Sequence, residues 1–220
     1  MPKGRFHSLR GIYAIVDNAG RPERPLSVLA QAAGRAGVKV IQLRAKGLTP
    51  RELAAAARSI AALCRKLDVS FIVNDRLDVA LAAKADGVHL GQDDLPPAAA
   101  RRVAGDRLWI GVSTHSIAEA RRAERDGADY VGFGAMYGTA SKERVTAPQG
   151  AGRLREVVQS VAIPVIAIGG ITLEKIPEIQ AAGAAGAAVI SSWVQAPDPA
   201  QALREMIFAW QKLDKRNIPA

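Results

Sequence analysis

The sequence predicts an α/β fold, a single (β/α)₈ TIM barrel. Short β-branched runs alternate with helical stretches along the whole chain, the pattern of a parallel sheet wrapped in helices. The cycle repeats eight times in 220 residues, about 27 residues per unit, which suits a compact closed barrel. The first run leads into Asn18-Ala19-Gly20, not into the G-x-G-x-x-G turn with which an open doubly wound sheet usually begins.

The predicted strands are Gly11–Asp17, Val38–Arg44, Ser70–Asn74, Gly87–Gly91, Leu108–Thr114, Ala128–Ala135, Ile163–Gly170 and Ala184–Ser191. The clearest helix covers Pro50–Leu67. Its apolar residues Leu53, Ala56, Ala57, Ile60, Leu63, Cys64 and Leu67 recur at the spacing of one helix face. Leu203, Met206, Ile207, Trp210 and Leu213 repeat that spacing in the last helix. Thr49 is the expected N-cap, Pro50 the first-turn proline, and Glu52 completes a capping box. Gly37, Gly127 and Gly183 close helices just before strands, where a left-handed cap suits glycine. No linker, low-complexity tract or composition shift marks a second domain. Residues 1–220 therefore read as one barrel domain, with loose tails at about 1–10 and 215–220.

Hydrophobic and charged fractions of 49% and 23% are ordinary for a globular chain. Few aromatics and many small residues favour tightly packed helices and strands over an aromatic-rich sandwich. A net charge of +9 favours anionic partners. Nucleic acid, phosphorylated metabolites, acidic membranes and a merely solvated basic surface all stay open on that ground. A single cysteine, Cys64, excludes an intrachain disulfide and fits a reducing compartment. Its place on an apolar helix face makes it a core residue. The basic first ten residues lack the apolar segment of a secretory signal. The apolar run Ala181–Val194 is interrupted by Gly183, Gly186 and two serines and is too short to span a bilayer. A soluble, cytoplasmic protein is expected.

Active sites of this fold lie at the carboxyl ends of the strands. In the second strand Val38, Val40, Gln42, Arg44 and Lys46 share one side, and Ile41 and Leu43 face the helices. The shared side turns from apolar to cationic, so an amide and two cations point into the barrel mouth. That suits a strongly anionic group, which arginine grips bidentately. A strand simply leaving the core with solvated charges would look the same. The third strand ends at Asn74-Asp75-Arg76 and the fourth at Gly91-Gln92-Asp93-Asp94. Each acid alone reads as a loop cap or turn residue. Together beside Arg44 and Lys46 they fit a Mg²⁺-diphosphate, because Mg²⁺ takes one or two carboxylates and fills its shell with water and phosphate oxygens.

The seventh strand ends at Ile168-Gly169-Gly170-Ile171, with a helix expected from Thr172, and the eighth at Ile190-Ser191-Ser192. Loops there often hold phosphate in this fold, glycine admitting it to backbone N–H groups and a helix N-terminus adding its dipole. The longest connection, Met136–Gln149, carries Thr139, Ser141 and Lys142. Its length suits a lid that brings Lys142 onto a leaving diphosphate, or else a plain surface loop. His7 lies in the tail, and His89 reads as a satisfied core histidine. His115, following Ser113-Thr114, is equally open to a site role or none.

The strings Gln42-Leu43-Arg44-Ala45-Lys46, Asn74-Asp75-Arg76, Gly87-Val88-His89-Leu90-Gly91-Gln92-Asp93-Asp94-Leu95, Gly111-Val112-Ser113-Thr114-His115-Ser116, Ala128-Asp129-Tyr130-Val131-Gly132-Phe133-Gly134 and Ile168-Gly169-Gly170-Ile171 resemble those of the thiamine phosphate synthase family. The resemblance runs from about residue 11 to about residue 210, with the motifs in the family's order and spacing. It implies a transferase that joins 4-amino-5-hydroxymethyl-2-methylpyrimidine diphosphate to 4-methyl-5-(2-phosphoethyl)thiazole. Diphosphate departs first, leaving a stabilised pyrimidine-methyl cation for the thiazole nitrogen to capture. By motif, Gln42, Arg44, Lys46, Asn74, Ser113 and Lys142 hold the pyrimidine diphosphate, with Arg44, Lys46, Ser113 and Lys142 as the catalytic set. Asp75 and Asp94 hold the Mg²⁺ cofactor. Thr139, Ala140, Ser141, Gly170, Ile190 and Ser191 contact the thiazole phosphate. Ala135 stands where the family commonly has proline, and Ser141 where it commonly has threonine.

Two rivals remain. A thiazole tautomerase-type isomerase on the same barrel would use His115 for acid/base chemistry and has no evident use for Arg44, Lys46, Asp75 and Asp94. A non-catalytic barrel binding phosphate or nucleic acid would explain the charge, but no DNA- or RNA-binding motif is present. The expected partners are the two small-molecule substrates, without nucleic acid or membrane. Assembly into a homo-oligomer stays open.

Overall fold

Eight parallel strands hydrogen-bond in sequence order and close on themselves in a computed structural model that describes residues 9–138 and 148–214. The strands are β1 (Gly11–Val16), β2 (Val40–Leu43), β3 (Ser70–Asn74), β4 (Gly87–Leu90), β5 (Trp109–Thr114), β6 (Tyr130–Phe133), β7 (Val165–Ile168) and β8 (Gly186–Val189). Helices α1 (Leu26–Ala36), α2 (Pro50–Lys66), α3 (Leu77–Ala83), α4 (Pro97–Ala104), α5 (Ile117–Arg125), α6 (Gly150–Ser160) and α7 (Ile176–Ala181) lie between them. After β8 come the short α8 (Ser191–Val194) and the long α9 (Pro199–Asp214). This is the (β/α)₈ barrel expected from the alternating pattern.

Strand alternation splits the apolar residues into two cores. Ile41 and Leu43 of β2 join Phe71, Ile110 and Trp193 in the layer between sheet and helices. Val40 points the other way and packs inside the barrel with Tyr13, Ile72, Trp109 and Tyr130. Register then sets the level of each inward residue. Gln42 pairs with Ile15 of β1 and Ile72 of β3, and Asn74 with His89 of β4.

β3 has the expected bounds, and the other seven strands are shorter than their apolar runs. Val38 is 2% exposed yet lies outside the paired part of β2. Burial extends the apolar pattern beyond the residues whose backbones pair, so the pattern overestimates strand length. The capping box of α2 forms as expected, with Thr49 accepting from the Glu52 N–H and Glu52 accepting from the Thr49 N–H. Gly37, Gly127 and Gly183 all take left-handed φ after their helices. The segment after β7 differs from expectation. It opens with a 3₁₀ turn over Leu173–Lys175, and the α-helix starts only at Ile176. Pro177 has no N–H to give to the carbonyl of Leu173, and its ring would clash there, so an α-helix cannot begin at Thr172.

Cys64 is buried on α2, and burial, helped by the nearby Asp86 charge, pushes its thiol up to about 12. Among the described residues no helix is long and apolar enough to cross a membrane.

Candidate active site

The C-terminal mouth of the barrel encloses about 490 Å³ of empty space open to solvent. Gln42 on β2, Arg44 beyond it, Asn74 at the end of β3, Ser113 on β5 and Ile190 after β8 all line it. These five expected site residues therefore meet in one cavity, although they come from four different βα units. Tyr13, His89 and Tyr130 share its walls. None of the three was expected there, because mid-strand rings carry the same sequence signature as core residues. The available signal was their inward register, Tyr13 lying two residues before Ile15 and Tyr130 two before Gly132 on strands whose inward side is otherwise small or apolar.

The cationic wall has a buried support. Arg44 forms an ion pair with the carboxylate of Asp17, which follows β1 and is only 6% exposed. The other Asp17 oxygen accepts from the Ala19 N–H at 2.9 Å, and the Arg44 N–H donates to the Val16 carbonyl at 3.0 Å. Guanidinium and carboxylate are thus both fixed through backbone contacts. Lys46 sits further out and is exposed.

Asp75 and Asp94 come together at the rim. Asp75 adopts φ +63°, and its N–H donates to the His89 carbonyl at 2.7 Å. Asp94 accepts from the Gly91 N–H at 2.7 Å. Burial pushes the Asp75 carboxyl up to about 6, the hydrogen bond and charge of Asp94 add to the rise, and Lys46 and Arg44 oppose it. Two carboxyls sharing so little space fit a cation between them. No group of three or more His, Cys, Asp or Glu side chains that could hold a metal exists among the described residues. The pair alone is not a closed cage, but Mg²⁺ needs only one or two carboxylates when water and substrate oxygens complete its shell. Arg76 turns outward to Asp78, donating to its two oxygens at 2.9 and 2.5 Å.

Two glycines follow β7 just beyond the residues that line the cavity. Gly169 and Gly170 have φ of +102° and +65°. A Cβ on Gly170 would lie 2.5 Å from the Gly138 carbonyl oxygen and 2.9 Å from Tyr137 Cβ. The Met136 and Tyr137 N–H groups donate to the Ile168 and Gly169 carbonyls at 2.9 and 3.0 Å. Gly169-Gly170 therefore admits the start of the connection after β6 at close range, besides any anion. Ser191 opens α8 and is half-buried. Thr139, Ala140, Ser141 and Lys142 lie outside the described residues.

His115 is committed locally. Its backbone N–H donates to Glu119 Oε2 at 2.8 Å, and its ring Nδ1 lies 3.1 Å from the same oxygen. It does not line the mouth cavity.

Residues 12–193 match the family model described as thiamine monophosphate synthase. A thiamine-phosphate synthase of Halalkalibacterium halodurans is 45% identical over 187 residues, 85% of this chain and 89% of that protein. One from Methanospirillum hungatei is 47% identical over 195 residues, 89% of this chain and 95% of that protein. Among solved structures, a thiamine phosphate pyrophosphorylase from Pyrococcus furiosus superposes with a TM-score of 0.86 at 36% identity, covering 94% of this chain and 98% of that one.

Proposed function

The chain belongs to the thiamine monophosphate synthase family, a family of transferases, and from that we propose how its barrel mouth condenses the pyrimidine diphosphate with the thiazole phosphate to give thiamine phosphate and diphosphate. The observation that carries this reading is the meeting of Arg44, Asn74 and Ser113 in one cavity, beside the Asp75–Asp94 pair at the rim.

Gln42, Asn74 and Ser113 orient the pyrimidine, and Arg44 and Lys46 take the diphosphate. Asp17 holds the Arg44 guanidinium so that it is set before the substrate arrives, which avoids reorganisation as charge develops on the leaving group. Asp75 and Asp94 would hold Mg²⁺, which when bound stabilises negative charge on the departing diphosphate. Apolar Ile15, Ile166 and Ile168 line the cavity and limit water around the pyrimidine-methyl cation. Gly170, Ile190 and Ser191 meet the thiazole phosphate, with Thr139, Ala140, Ser141 and Lys142 supplied by the connection after β6. Its partners are these two small molecules, with no nucleic acid or membrane, and it works in the cytoplasm as one 1–220 domain; a homo-oligomer remains compatible.

The isomerase alternative is weakened, because its candidate base His115 does not line the mouth cavity. The decisive assay mixes both substrates with Mg²⁺ and follows thiamine phosphate and diphosphate. Formation of both, abolished by EDTA, is expected; a chain that isomerises the thiazole and makes no thiamine phosphate would refute the synthase reading.

A further inference from the structure

A chain of hydrogen bonds crosses the inside of the barrel from β2 to β5. Gln42 Nε2 donates to Tyr13 Oη at 2.8 Å. Tyr13 Oη and Tyr130 Oη are 3.1 Å apart. Tyr130 Oη is 3.1 Å from His89 Nδ1, and His89 Nε2 is 3.0 Å from Ser113 Oγ. Tyr13, Tyr130, Gln42 and His89 are all buried. Barrel interiors of this fold are normally filled by branched apolar side chains, so a polar chain through one calls for a reason.

The chain has a direction. A phenol has one hydrogen. Tyr13 accepts from Gln42, so its own hydrogen goes to Tyr130. Tyr130 in turn gives its hydrogen to His89 Nδ1, which must carry a lone pair. A neutral imidazole with a bare Nδ1 has its proton on Nε2, and that proton goes to Ser113 Oγ. The Ser113 hydrogen is then left to point into the cavity. Burial holds both phenols well above their ordinary pKa, so both keep their hydrogens at neutral pH. Gln42 Oε1 remains as an acceptor at the other end. Turning the Gln42 amide over would reverse every bond, placing the histidine proton on Nδ1 and making Ser113 donate inward.

The barrel is shaped around this chain. A Cβ on Gly111 would sit 2.1 Å from Tyr130 Cζ, and one on Gly132 3.2 Å from His89 Cε1. Glycines on β5 and β6 thus leave the space these two rings occupy.

We propose that Tyr13, Tyr130 and His89 are positioning residues that link Gln42 to Ser113 as one proton-ordered relay, fixing Ser113 as a hydrogen-bond donor, and Gln42 as an acceptor, toward the pyrimidine diphosphate. This rests on the assignment of Gln42 and Ser113 to the pyrimidine side. An aminopyrimidine offers a matching amino donor and ring-nitrogen acceptors, and the relay binds it with a polarity that neither residue sets alone.

The test is nitrogen NMR of the full chain labelled in its histidine rings, assigned with the His89→Gln variant, together with kinetics of Tyr130→Phe. The expected native spectrum shows His89 neutral, protonated on Nε2 and bare on Nδ1. Tyr130→Phe should mix the two tautomers and lower kcat/KM for the pyrimidine diphosphate about tenfold, the effect of one lost hydrogen bond of ~1.4 kcal/mol. The KM for the thiazole phosphate should stay within about twofold. A native His89 protonated on Nδ1, or on both nitrogens, would overturn the relay, and this reading needs no substrate. Equal losses toward both substrates would mean a structural role only and overturn it too. A native chain that makes no thiamine phosphate contradicts the reading of the site, whereas one that makes it with the wrong His89 tautomer contradicts the relay alone.

Discussion

Asp75 and Asp94 stand at the ends of adjacent strands and share a hydrogen bond, and burial together with that contact raises the Asp75 carboxyl to about 6. Paired acids without a cation disfavour each other's ionised form. Asp75→Asn and Asp94→Asn are each expected to lower synthase turnover about a hundredfold or more while the fold survives. The double variant should be little worse than either single one, because both acids hold one ion. Steady-state assays at saturating substrate, with circular dichroism as the fold control, decide it. Full Mg²⁺-dependent activity in either single variant would remove that residue from the metal site.

Asp17 is the buried counter-charge of Arg44, with side-chain exposures of 7% and 17%. Asp17→Ala should destabilise the chain by about 3 kcal/mol in urea denaturation, because a largely desolvated guanidinium loses its carboxylate. Arg44→Lys keeps the charge and loses the planar fork. It should weaken binding of the pyrimidine diphosphate about tenfold at modest cost in stability. An unchanged Kd would show that Arg44 serves the fold and not the ligand.

Gly170 combines φ +65° with a Gly138 carbonyl 2.5 Å from where a Cβ would stand. Gly170→Ala is expected to destabilise the chain by about 1–2 kcal/mol from the left-handed backbone alone. It should also displace the start of the connection after β6 and raise the KM for the thiazole phosphate more than that for the pyrimidine diphosphate. Equal KM changes would place Gly170 outside the thiazole side.

Cys64 carries a thiol raised to about 12 from an ordinary 9. The folded chain therefore holds this proton more tightly than the unfolded one. Its contribution to stability is complete below about pH 9 and is lost as pH climbs toward 12. At pH 8, labelling by a thiol reagent should run at least about a hundredfold slower in the native protein than in urea. Equal rates would contradict the burial of Cys64 on α2.

Much of this was legible in the chain, for physical reasons. Alternation put Gln42 and Arg44 on the inner side of β2 and Leu43 on the helix side, and the barrel keeps that division. The capping box at Thr49 and Glu52 is local chemistry and needs no tertiary context. Asp17 was hidden because a lone acid at a strand end looks like a turn residue until Arg44 is seen beside it. Tyr13 and Tyr130 were hidden because a buried phenol and a core aromatic have the same sequence signature, and only closure of the barrel, β1 onto β8, brings their hydroxyls together across its interior. His89 is the satisfied core histidine its position suggested, but its partners place it in the wall of the site. Pro177 is a local signal in the sequence, and it is the reason the segment after β7 cannot start as an α-helix.

The most direct test of the central claim, that one carboxylate pair and one cationic wall bind a metal-diphosphate together, is calorimetric titration of the pyrimidine diphosphate at stepped Mg²⁺ concentrations. In the native protein the affinity should rise at least about tenfold between EDTA and saturating Mg²⁺, and in Asp75→Asn it should be nearly flat. An affinity independent of Mg²⁺ in the native protein, or equally dependent in both, would contradict the claim.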